Sequence, residues 1–122
     1  MSTDQPAGLD EARTKHEQDV ATFGEVLGDV KAMIRTGLAG IEDIARKLAA
    51  VIPQVEEGQR NLRVNADTIS AYAKHHGEAG VSAPDQLGEL LASLDDRERR
   101  VYDEARLGAA QAARALGRHA QP

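Results

Sequence analysis

VATFGEVLGDVKAMIRTGLAGIEDIARKLAAVIPQVEEGQRNLRVNADTI, residues 20–69, decides the fold class. Counting in sevens from Val20 gives Leu27, Ile34, Ile41, Leu48, Val55, Leu62 and Ile69, all branched aliphatics. A seven-residue repeat places side chains on one stripe of a helix, so the stretch predicts amphipathic helices packed in coiled-coil fashion. Three residues on, a second line reads Phe23, Val30, Gly37, Ile44 and Val51, then weakens at Gly58, Asn65 and Tyr72. Four residues on, Ile52, Ala66 and Ala73 take over, so the stripe drifts sideways near Pro53. Such drift suits a globular bundle better than a two-stranded rope.

Outward from this stretch, the breaks in pattern divide the chain. Gly37 and Gly40 each weaken a helix by roughly 1 kcal/mol relative to Ala, so the chain can reverse there. The alternative is a helix that runs through them, since the seven-residue phase is kept from Ile34 to Ile41. Pro53 lacks an N–H and should kink a helix or start a new one. The clearest break is 74–84: Gly77 suits a helix C-terminus, and Ser82 suits an N-cap with Pro84 in the first turn. The last helix then carries a seam of Leu87, Leu90, Leu91, Leu94, Val101, Ala105, Gly108, Ala112 and Ala115. Asp95–Arg99, Asp96–Arg100 and Arg100–Glu104 are spaced as i,i+4 pairs on its outer face. The expectation is an all-α, elongated helical bundle or antiparallel coiled coil of three long segments. They span about 9–36, 39–76 with a kink at Pro53, and 83–118, between a disordered lead-in at 1–8 and a tail at 119–122.

Composition agrees. The chain has 122 residues, the size of one domain, with one Phe, two Tyr and no Trp. Its apolar material is Ala, Leu, Ile and Val, and Ala, Leu, Glu and Arg favour helix. The formal net charge of −5 disfavours non-specific nucleic-acid binding, and the few aromatics offer bases little to stack on. Cysteine is absent, which excludes disulfides and thiol chemistry. Residues 1–8 carry no basic and apolar leader, and no apolar run is long enough to span a bilayer. A cytoplasmic location is the expectation, with export lacking a cleavable signal as the alternative. Arginine outnumbers lysine and alanine abounds, as in high-GC bacterial genomes.

The candidate chemistry is sparse. His75 and His76 are adjacent near Glu78, but neighbours on a helix point about 100° apart and rarely share one ion. There is no Glu-x-x-His pair for a di-iron bundle, and His16-Glu17 is not continued into His-Glu-x-x-His. Glu98 falls at a seam position and reads as a solvated or partner-facing carboxylate rather than a catalytic one. Gln59 falls in the middle stripe, where one polar residue commonly fixes register or partner. The run from Asp95 to Arg100 alternates in sign, as a solvated helix face does. No phosphate loop is present, and Ser70 and Ser82 sit in no nucleophile motif. The polar faces are mixed and net acidic, which disfavours a membrane surface.

These features point to a non-enzymatic interaction, scaffold or adaptor module, with no catalytic, cofactor or metal residues. The expected interaction seam comprises Val20, Phe23, Leu27, Val30, Ile34, Ile41, Leu48, Val55, Leu62, Ile69, Leu87, Leu91, Leu94 and Val101. The expected partner is a second copy or another helical protein, not nucleic acid or membrane. One alternative is the small exported helical-hairpin protein of the WXG100 type. The chain is similar to it in length, acidity and helicity, but has no Trp for a Trp-x-Gly turn and offers Gly37–Gly40 instead. A further alternative is a metal protein or enzyme with its site in the bundle core.

Overall fold

The structure, a computed structural model, describes residues 8–120, with side chains to Gly117. The described residues are helical apart from turns and one connecting strap. Helix α1 is Leu9–Thr36, α2 is Ile41–His75, α3 is Gln86–Ser93 and α4 is Asp96–Ala120. Most of the expected lead-in at 1–8 and the end of the expected tail lie outside the described residues. Gly8 is described, as the residue that caps α1, and helix continues to Ala120.

The helix does not run through the paired glycines. A 3₁₀ turn, Gly37–Ala39, separates α1 from α2, and Gly40 N–H donates to Gly37 O at 3.0 Å. The reversal brings Ile44 onto Gly37 so closely that a Cβ there would lie 2.4 Å from Ile44 Cβ. Glycine is therefore required at this position by close approach. The retained seven-residue phase across the turn comes from the length of the turn, not from a continuous helix.

α1 and α2 form an antiparallel hairpin. Its interior is the drifting stripe: Phe23, Leu27, Val30 and Ile34 from α1 meet Ile44, Leu48, Ile52, Val55 and Leu62 from α2. Each buried Leu, Ile or Val contributes roughly 1.5–3 kcal/mol of hydrophobic stabilisation. Past Pro53 the buried line moves to Gln59, Ala66 and Ala73, as the four-residue spacing requires. α2 is continuous through Pro53, whose ring is exposed, so the missing N–H falls on the wet side of the helix.

α2 ends at a glycine in the left-handed region. Gly77 has φ 71°, its N–H donates to Lys74 O, and Glu78 N–H donates to Ala73 O at 2.8 Å. This pair of bonds satisfies carbonyls that the last helical turn leaves open.

The expected third segment is two helices. Leu94 takes an extended conformation with ψ 140°, and the chain turns between α3 and α4. The start also differs from expectation. Asp85, not Ser82, caps α3, its carboxylate accepting from Gly88 N–H at 3.0 Å. Residues 78–85 form a non-helical strap. α3 contributes Leu90 to the core, and α4 contributes Val101, Tyr102 and Ala105.

Candidate functional site

The strap lies over α1 and α2 and is fastened by their polar side chains. The His16 ring, 4% exposed, bonds Ser82 O through Nε2 at 2.9 Å. A carbonyl only accepts, so Nε2 carries the proton in this bond. Ser70 Oγ donates to Val81 O and accepts from Val81 N–H, at 2.8 and 3.0 Å. Arg13 reaches Ala79 O. Gln59, 5% exposed, donates to Pro84 O and accepts from Leu87 N–H, both at 3.0 Å. Gln86 then donates to Val20 O at 3.0 Å. A strap with no ladder of its own must find partners for its backbone groups, and these side chains supply them. Two buried polar atoms lack a hydrogen-bond partner among the described residues: His16 Nδ1 and Gln86 Oε1.

Glu98 joins the α3–α4 corner to the end of α1. Its Oε1 accepts from Asp95 N–H at 2.9 Å, and Asp95 Oδ1 accepts from Glu98 N–H at 2.8 Å. This is a reciprocal capping box at the start of α4. Its other oxygen accepts from Arg35 Nε at 3.0 Å. Glu98 is buried, so the expected solvated carboxylate is corrected: the corner needs its oxygens. The expected Asp95–Arg99 and Asp96–Arg100 pairs are not among the observed ion pairs. Arg99 pairs with Asp103 at 3.2 Å and Arg100 with Glu104 at 3.3 Å, while Asp95 is occupied as the cap.

The seam residues lie mostly inside the single chain. Phe23, Leu27, Val30, Ile34, Leu48, Val55, Leu62 and Val101 are buried, and Val20, Ile41, Ile69, Leu87, Leu91 and Leu94 are half-buried. The small-residue seam of α4 extends less far than its sequence suggests. Ala105 is buried, and a Cβ at Gly108 would lie 3.7 Å from Ala49 Cβ, an ordinary contact. Ala112 and Ala115 are exposed, as is every residue from Ala110 to Gly117. That part of α4 projects as an arm bearing Leu116, 71% exposed. Near its base, burial raises the pKa of the Tyr102 phenol, and the negative charge of Glu56 adds to the effect.

One face of the α1–α2 hairpin is open. A hollow of about 270 Å³ lies between His16 and Asp19 on α1 and Asn65 and Thr68 on α2. A second, of about 350 Å³, lies between Thr22 and Val26 on α1 and Gly58 and Asn61 on α2. Asp19 and Asn65 line both, so the two form one groove. At the hairpin turn a separate hollow of about 480 Å³ is lined by Met33, Gly37 and Ile44.

His75 ends α2 and His76 follows it, both exposed, with the Tyr72 and His76 rings 4.7 Å apart. Among the described residues no group of three His, Asp or Glu side chains is placed to hold a metal ion. No described helix is long and apolar enough to cross a membrane. No protein-family model matches the chain, and no curated protein or solved structure shows significant similarity to it.

Proposed function

We propose that the protein is a non-enzymatic interaction module that works by helix packing, with a second copy of itself as the first partner. The supporting observation is the α4 arm, which runs on from Ala110 to Gly117 with every residue exposed. A helix without a buried face gains no stability from packing, and short isolated helices are marginal in water. A partner surface supplies what the arm lacks. The buried polar side chains support the same reading. His16, Gln59 and Glu98 are engaged by strap carbonyls, backbone N–H groups and Arg35, in structural roles. Sedimentation or light scattering of the full chain tests the proposal. The expected result is a concentration-dependent mass above that of the 13.1 kDa chain. A strictly monomeric species at every concentration would overturn self-association.

The exported helical-hairpin alternative draws support from one feature, the α1–α2 hairpin with its reversal at Gly37–Ala39. Its test is accumulation of the full-length protein in culture medium without cell lysis.

A further inference from the structure

The open groove is long enough to take the arm, and the body is opposite to the arm in charge. Along α1 the groove spans Ala12 to Val26, and at roughly 1.5 Å per residue this is about 20 Å. The arm from Ala110 to Ala120 measures about 15 Å by the same rise. Phe23, Leu62 and Gly58 line the groove at the end where Val26 is exposed. The arm is built largely of alanine, so another helix pair can approach it closely, with Leu116 as its one large apolar side chain.

Charge divides the molecule in the same way. Beyond Glu104 the sequence holds Arg106, Arg114 and Arg118 and no Asp or Glu. All of the chain's negative excess therefore lies in the body. Arg106 is engaged with Glu56 at 3.3 Å, whereas Arg114 is exposed on the arm. Asp19 lines both halves of the groove but is paired with Lys15, which lines it too, at 3.3 Å; the exposed carboxylate offered to Arg114 is Glu25, beside Val26. Gln111 and Arg114 are hydrogen-bond donors on the arm.

We propose that the α4 arm of one copy lies in the α1–α2 groove of a second copy, and that the exchange is reciprocal. This rests on the self-association reading above and names its surfaces. A two-fold arrangement buries both arms at once and leaves no groove open for a third copy. Two reciprocal contacts also bring an interface built on so short a helix toward the roughly 1,000 Å² that specific association requires.

The test uses the full chain. Leu116→Asp on the arm and Val26→Lys in the groove alter exposed side chains, so circular dichroism should report an unchanged fold. Each should raise the dimer dissociation constant at least about tenfold, and added salt should weaken the wild-type dimer. The chain has no cysteine, so single cysteines report proximity cleanly. Mixing Leu116→Cys protein with Asn61→Cys protein under mild oxidation should give a disulfide between positions 116 and 61 of different copies. A dimer that both charge variants leave intact, with no 116–61 link, overturns the arm-in-groove proposal while self-association stands. A wild-type chain that is monomeric throughout overturns both.

Discussion

At the scale of single residues, position in the stripe decides the cost of a charge. Leu62 is 4% exposed between α1 and α2, while its neighbour Arg63 is exposed. Leu62→Asp places an unpaired carboxylate in the core, against a total stability of roughly 5–15 kcal/mol, and should unfold the protein. Arg63→Asp should shift the thermal midpoint only slightly. Equal midpoints would show that the stripe is misassigned. Gly108 gives a finer test, since the residue it faces is Ala49. Gly108→Ala fits at van der Waals contact and improves helix propensity, so it should stabilise by up to about 1 kcal/mol. Gly108→Leu overpacks the same contact and should cost about 1–3 kcal/mol. Denaturant midpoints that rise for both variants would show that the helices separate freely at this point. The apolar residues of the core were legible because period alone places them. The roles of Gln59 and Glu98 were not. Each occupies an apolar position, and only the fold shows that a strap carbonyl or an arginine of α1 comes within reach.

At the scale of elements, the hairpin was legible almost to the residue. Its start, its reversal and its end at a left-handed glycine all have local causes in the sequence. The division of the last segment was missed because the seam Leu87, Leu91, Leu94, Val101 continues across the corner as if the helix were unbroken. The available signal is the pair Asp95 and Glu98, spaced as a capping box; pairing Asp95 with Arg99 and reading Glu98 as a seam carboxylate passes over it. The strap was missed for a related reason. Ser82 resembles a cap, but its carbonyl is held by His16, and the helix waits for Asp85. The capping assignment at α4 has a direct check. Asp95→Ala should cost about 1 kcal/mol in denaturant unfolding with an unchanged slope. Asp96→Ala, next to it and exposed, should cost only a few tenths. If the two variants cost the same, Asp95 is not the cap.

At the scale of the whole molecule, the all-helical fold is present, as four packed helices where three long segments were expected, and its mass is unevenly placed. The core is gathered around α1, α2, α3 and the first part of α4, and the rest of α4 stands clear of it. Composition could not reveal this, because Ala is equally at home in a tight seam and in an unsupported helix. The residues of the α4 seam looked uniform in sequence, yet Ala105 is buried and Ala115 is exposed. What separates them is the point at which α4 parts from α2, a property of how whole helices cross rather than of any residue.

The polar fastening of the strap also has a consequence in time. The α1–α2 contacts nearest the turn are local in sequence, so the hairpin can close early at little loop-closure cost. The strap and the start of α3 must then find groups far behind them: the Ser82 carbonyl meets the His16 ring, and the Gln86 side chain donates to the Val20 carbonyl, each across 66 residues. On a ribosome the hairpin emerges complete, with these partners already made, while the strap is still to be synthesised. The strap thus settles after the hairpin, and under native conditions it should open before the hairpin does. Amides of the strap and of the first turn of α3 report this directly. The N–H groups of Val81 and Leu87 are bonded to side chains, Ser70 and Gln59, rather than to a helix. In hydrogen exchange they should open together, well before the amides of Leu48 and Val55, by a sub-global route. Gln59→Leu should speed exchange at Leu87 and Val81 while leaving Leu48 protected. Uniform acceleration along the chain would mean that strap and hairpin unfold as one unit.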